Sequence, residues 1–252
     1  GYTIDQIAQV VSVDASSKSG AKTPYTQEKF LKVIQDDAFI EKMVAKYPKL
    51  LATLPSKESG VRYRLEGYLF PATYGYGKDS KMEDLVDQML AAMDQNLSAY
   101  YDTMEAKNID VNEALTLASL IEKEGATDKD RKDIASVFYN RLNQDMPLQS
   151  NIAILYAQGQ LGKKTTLKED ATIDTNIDSP YNIYKNTGLM PGPVDSPGLS
   201  AIEAAVNPSK TDYLYFVANV ETGEVYFAKT YEEHTKNVEE HVNSKLTESS
   251  SN

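Results

Sequence analysis

The sequence predicts an α+β protein dominated by helices, with one small antiparallel β hairpin and a long ordered loop region. Three observations carry this. Ser, Thr or Asp followed three residues later by Glu or Gln repeatedly precedes apolar residues at helical spacing. Tyr213 to Val220 and Glu224 to Ala228 alternate around Glu221-Thr222-Gly223, a hairpin pattern. From Gly159 to Gly198 the chain is rich in Gly, Pro, Asn, Asp and Thr, yet Tyr181, Tyr184, Leu189 and Met190 within it favour an ordered loop.

In chain order, residues 1–60 read as helical. Thr3 and Gln6 form a capping box before Ile4, Ile7 and Val11, and Thr26 caps a helix bearing Phe30, Leu31 and Ile34. Ala38 to Leu51 continues the helical pattern, and Pro55 to Gly60 breaks it. Arg62 to Tyr76 is aromatic with Gly and Pro inside, which suits a strand or an ordered loop. Ser80 and Glu83 are expected to cap a long helix running to about Tyr101. A helix follows from Asp110 to Gly125, and another starts at Asp128 with Ile134, Val137, Phe138 and Leu142 on one face. Met146 to Asn151 reads as a turn before the apolar stretch Ile152 to Tyr156. Ser200 and Glu203 are expected to cap a short helix ended by Asn207-Pro208, and Thr230 and Glu233 the last one.

Composition excludes several chemistries. The 252 residues carry a net charge of −11, which argues against general nucleic-acid binding. No Cys is present, so thiolate nucleophiles and Cys-ligated metals are excluded. Only His234 and His241 occur, too few for a multi-His zinc site, and no metal or cofactor is expected. Acid–base chemistry, if any, must come from carboxylates.

Asp110 to Gly125, DVNEALTLASLIEKEG, holds the best-placed carboxylate. Asp110 and Glu113 cap it, Gly125 is expected to close it in a left-handed turn, and Ala114, Leu117, Leu120 and Ile121 form an apolar stripe. Glu124 projects from that stripe in the last turn, while Glu122 sits at its edge and Lys123 points away. Desolvation and the negative helix end both raise the pKa of such a group, as a general acid requires. The plain alternative is a salt-bridged carboxylate at a helix end.

Polar-aromatic clusters are expected in loops: EGYLFP at 66–71, Asn140-Arg141, LQSN at 148–151, SPYNIY at 179–184 and GLMPGP at 188–193. Amides and hydroxyls pair with sugar hydroxyls, and ring faces cover sugar C–H faces. The ordered series EGYLFPATY, LASLIEKEG, VFYNRL, MPLQSN, SPYNIY, GLMPGPVDSPG, AAVNP, YLYFVA and the late His234 resembles the endolytic murein transglycosylases of the MltG (YceG-like) family, from about residue 1 to about 242.

That resemblance implies cleavage of peptidoglycan glycan strands between N-acetylmuramic acid and N-acetylglucosamine, leaving 1,6-anhydro ends. It implies a bacterial cytoplasmic-membrane protein with one anchoring helix in a missing N-terminal part and an extracytoplasmic catalytic region. Residues 1–60 would follow a missing LysM-like subdomain, 61–245 would be catalytic and 246–252 a polar tail. The resemblance places catalysis on Glu124, the residue the helical face also picks. It places Gln149, Asn151, Tyr181, Asn182 and Tyr184 at motif positions expected to line a saccharide groove, and Glu66 at one expected to contact the substrate or back such a contact, with a structural salt bridge for Glu66 equally open. Asn151-Ile152 departs from the Asp-Pro frequent in the family, which argues against a charge at 151. Peptidoglycan synthases are the implied partners. A hydrolytic muramidase, with Glu66 or Asp145 as second carboxylate, and a non-catalytic glycan-binding module are the alternatives.

Overall fold

The computed structural model describes residues 1–163, 172–219 and 221–243. The expected polar tail at 246–252, part of the long loop and Val220 of the hairpin lie outside these residues. The described residues form ten α-helices and one two-stranded sheet, so the α+β, helix-dominated class holds. Two compact units are present, Gly1–Ser119 with Pro191–Leu199, and Leu120–Met190 with Ser200 onward. The division falls within a helix.

The first unit contains α1 (Ile4–Val10), α2 (Gln27–Val33), α3 (Asp37–Lys46), α4 (Met82–Leu97) and α5 (Tyr101–Ala106). Thr3 and Gln6 cap α1 reciprocally, and Thr26 accepts from Lys29 N at the start of α2. Ile4, Phe30, Ile34, Ile40, Leu65, Tyr68, Leu90 and Met93 fill its core. Residues 62–76 form an ordered loop, the second of the two expected forms, with Gly67 at φ +87°.

Two expectations for α4 are corrected. Ser80 does not cap it, because its hydroxyl accepts from Gly77 N at 2.7 Å; Asp84 instead accepts from Lys81 N at 3.0 Å. The helix also stops at Leu97, and Tyr101 opens the separate α5.

α6 (Val111–Glu124) is the helix in which the division falls. Asp110 Oδ1 accepts from Glu113 N, and Glu113 returns a bond to Asp110 N. Residues 114–121 are all buried, so the helix is enclosed on every side and not along one stripe. Thr116 and Ser119 are therefore buried too. Ser119 donates to Thr116 O and accepts from Val194 N.

The second unit holds α7 (Asp128–Asn143), α8 (Asn151–Ala157), α9 (Leu199–Val206, almost all of it), β1 (Tyr215–Ala218), β2 (Val225–Ala228) and α10 (Tyr231–Val238). The apolar stretch after LQS is the helix α8, with Ser150 as its N-cap. Ser200 is not a cap; its hydroxyl donates to Asp128 and accepts from Arg131. The hairpin pairs Tyr215 with Ala228 and Ala218 with Val225, antiparallel. Asn219 Oδ1 accepts from Glu221 N and Thr222 N, and Gly223 turns at φ +75°. Phe138 of α7 meets Phe216 of β1 edge-on at 5.6 Å.

Candidate active site

α7 fastens the scaffold of the site. Tyr139 donates to Ala205 O of α9, Asn140 Nδ2 to Thr211 O and Tyr213 O ahead of β1, and Arg141 Nε to Leu214 O at 2.6 Å. Arg141 Nη1 also donates to Pro147 O at 2.8 Å. Asn140 and Arg141 thus lie on a helix, against the expectation of a loop cluster. They tie the 144–150 loop and the hairpin to α7. Arg141 is 7% exposed, so its charge is held by backbone carbonyls and by the Tyr215 ring at 5.0 Å.

That fastened loop carries Gln149 and Ser150. Gln149 is exposed and adopts φ 58°, an uncommon left-handed conformation for a side-chain-bearing residue. The loop survives because Gln149 N donates to Ile183 O at 3.0 Å. Ser150 is buried and its Oγ accepts from Ile152 N at 3.2 Å, capping α8. The same Oγ donates to Glu124 Oε1 at 3.0 Å.

Glu124 ends α6 half-buried. Burial pushes its carboxyl above the ordinary range, and the Ser150 hydrogen bond draws it part of the way back. Gly125 follows without a left-handed backbone, which corrects the turn expected there. It is small because a Cβ would lie 2.8 Å from Arg131 Cγ.

Tyr184 donates to Asn151 Oδ1 at 2.6 Å. Burial pushes its phenol up, the Glu124 charge adds to this, and Arg141 opposes it. His234 of α10 stacks on Tyr215 at 5.1 Å. Burial, then the Arg141 charge, holds its imidazole below the ordinary value, and its Nδ1 has no hydrogen-bond partner in the described residues.

Of the residues singled out in the sequence, Glu124, Asn151 and Tyr184 share one polar neighbourhood, with Gln149 on the same loop as Ser150. Tyr181 is buried against Tyr156 at 5.0 Å. Asn182 is fully buried; its Nδ2 donates to Thr175 O and Ile177 O, and its Oδ1 accepts from Tyr184 N. Both are buried in the loop that delivers Tyr184. Glu66 belongs to the first unit, 2% exposed, and its Oε2 accepts from Ile4 N at 2.9 Å. That bond ties the 62–76 loop to the first residue of α1. Ser150 and Arg141 fell within the polar clusters of the sequence, but neither the Ser150 bond to Glu124 nor the Arg141 clamp was expected, although Ser150 before an apolar run is a helix-cap signal. Among the described residues, no three His, Asp or Glu side chains are grouped as a metal would require.

In a helix-dominated α+β scaffold, the described residues thus place a carboxyl raised above its ordinary range beside amide and phenol groups. The YceG-like family model matches residues 1–240, and the chain belongs to that family. It is 63% identical over 246 residues to a protein of Streptococcus pneumoniae (strain D39) named endolytic murein transglycosylase, covering 98% of this chain and 44% of the relative. A Bacillus subtilis (strain 168) protein of the same name is 40% identical, with 96% and 65% covered. The crystal structure of a putative YceG-like protein from Listeria monocytogenes superposes with a TM-score of 0.81 at 43% identity, over 93% of this chain and 73% of that one. The chain thus spans less than half the length of the pneumococcal relative.

Proposed function

We propose that the chain carries the catalytic site of an endolytic peptidoglycan lytic transglycosylase, cleaving between N-acetylmuramic acid and N-acetylglucosamine. The observation that carries this is Glu124, a half-buried carboxyl with a raised pKa at the end of a buried helix. Protonated, it donates to the glycosidic oxygen as positive charge develops on the sugar ring. The resulting carboxylate then takes the proton of the muramic acid 6-hydroxyl as that oxygen closes on C1. The nucleophile comes from the substrate, so one enzyme carboxyl suffices.

Asn151, Tyr184 and the exposed Gln149 supply polar contacts to the strand, while Tyr181 and Asn182 hold the loop beneath them. The names of the pneumococcal and Bacillus relatives support the same reaction. Hydrolysis would need a second carboxylate to activate water, and Glu66, one nominee, is buried and engaged with Ile4 N. No helix among the described residues is long and apolar enough to cross a membrane. A single-pass anchor outside this sequence, an extracytoplasmic catalytic region and peptidoglycan synthases as partners complete the proposal. Mass spectrometry of products from purified glycan strands tests it: 1,6-anhydro ends support the reading, and hydrated reducing ends overturn it in favour of hydrolysis.

A further inference from the structure

We propose that Ser150 is a positioning residue for this reaction, fixing which oxygen of Glu124 carries the working proton; the inference rests on the reading above. A serine hydroxyl has one proton to give and two lone pairs to receive. Ile152 N, which can only donate, occupies a lone pair at 3.2 Å. Glu124 Oε1 lies at 3.0 Å and receives the proton. Ser150 is 2% exposed, so water does not compete for that proton. If the Glu124 proton sat on Oε1, the serine hydroxyl would face the acid's hydroxyl oxygen, a poorer acceptor than its carbonyl oxygen, in a buried place. The proton therefore rides on Oε2.

Oε1 stays an acceptor throughout the cycle, and Oε2 alone releases the proton to the glycosidic oxygen and recovers one from the substrate hydroxyl. The bond also favours the carboxylate formed midway, against the desolvation that favours the acid. Of the neighbouring groups, Tyr184 of the 179–184 loop feels the charges of both Glu124 and Arg141, His234 of α10 feels that of Arg141, and Arg131 of α7 lies against Gly125. Glu122 and Lys123 share its helix. Among these, Ser150 alone is a hydrogen-bond partner of the Glu124 carboxyl.

Glycine at a helix N-cap costs little stability, so Ser150→Gly removes the hydroxyl while sparing α8, and Ser150→Thr keeps both functions. Anhydro-product formation by the two variants and the wild type is followed against pH, with thermal midpoints alongside. The expected result for Ser150→Gly is a plateau rate lowered roughly 10- to 100-fold with little change in KM, and a basic limb displaced to higher pH. Ser150→Thr restores both. A Ser150→Gly profile with the wild-type rate and an unmoved limb overturns the inference, as does a lowered rate with an unmoved limb and a lowered midpoint, which marks a structural role. Absence of anhydro ends from the wild type would defeat the parent reading itself, whatever Ser150 does.

Discussion

Tyr184 and Asn151 are joined by a 2.6 Å hydrogen bond across 33 residues of sequence, linking the 179–184 loop to the first turn of α8. The bond sets the polar wall beside Glu124, because Asn182 beneath it holds the Tyr184 backbone N at 3.0 Å. Two loops are thereby locked into one surface.

Tyr184→Phe removes that bond without emptying the space of the ring. Stability is expected to drop by about 1 kcal/mol, the net worth of one such hydrogen bond. KM on glycan strands rises severalfold, because Asn151 loses its orientation. Denaturant melts and steady-state kinetics read the two effects separately.

Arg141→Lys keeps the charge and loses the fork. One ammonium cannot serve both Leu214 O and Pro147 O, whose bonds run from two different nitrogens of the guanidinium. A loss of about 2–3 kcal/mol is expected, from at least one charge-assisted bond and the ring contact. The urea midpoint measures it, and an unchanged midpoint removes the clamp from the account.

Two glycines with left-handed backbones respond differently to alanine. A Cβ on Gly67 (φ +87°) would stand 2.2 Å from Pro193 Cβ and 3.1 Å from Asp195 O, whereas Gly223 (φ +75°) has nothing within 4 Å. Gly223→Ala is expected to cost only the backbone term, about 1–2 kcal/mol. Gly67→Ala adds a clash within the first unit, for a total above about 3 kcal/mol. Thermal unfolding of the two variants side by side tests the difference.

What was legible in the sequence was mostly local. Thr3 with Gln6 and Asp110 with Glu113 cap as expected because each pair lies three residues apart on one turn. Ser80 carried the same signal and failed, since Gly77 N competes for its hydroxyl. The position of Glu124 followed from helical spacing alone. The bond that disposes its carboxyl did not, because Ser150 lies 26 residues away and is brought in by the Arg141 clamp. Burial on every side of residues 114–121 was equally invisible, as helical spacing showed a single stripe of Ala114, Leu117, Leu120 and Ile121.

Glu124→Gln should stabilise the protein, increasingly so as pH rises. Burial raises the folded-state pKa above the ordinary value of 4.5, so the native state holds its proton more tightly than the unfolded chain does. The favourable contribution is full below the ordinary value and is lost as pH rises through the raised one. Glutamine carries no such charge. The gap between mutant and wild-type thermal midpoints therefore widens with pH from about that value upward, and a gap that narrows would contradict the raised pKa.

The most direct measurement is mass-spectrometric counting of 1,6-anhydro-muramic ends released from purified glycan strands by wild type, Glu124→Gln and Glu122→Gln. The account predicts anhydro ends from the wild type, a loss of at least about 100-fold in Glu124→Gln, and near-normal release by Glu122→Gln. Full release of anhydro ends by Glu124→Gln would contradict it.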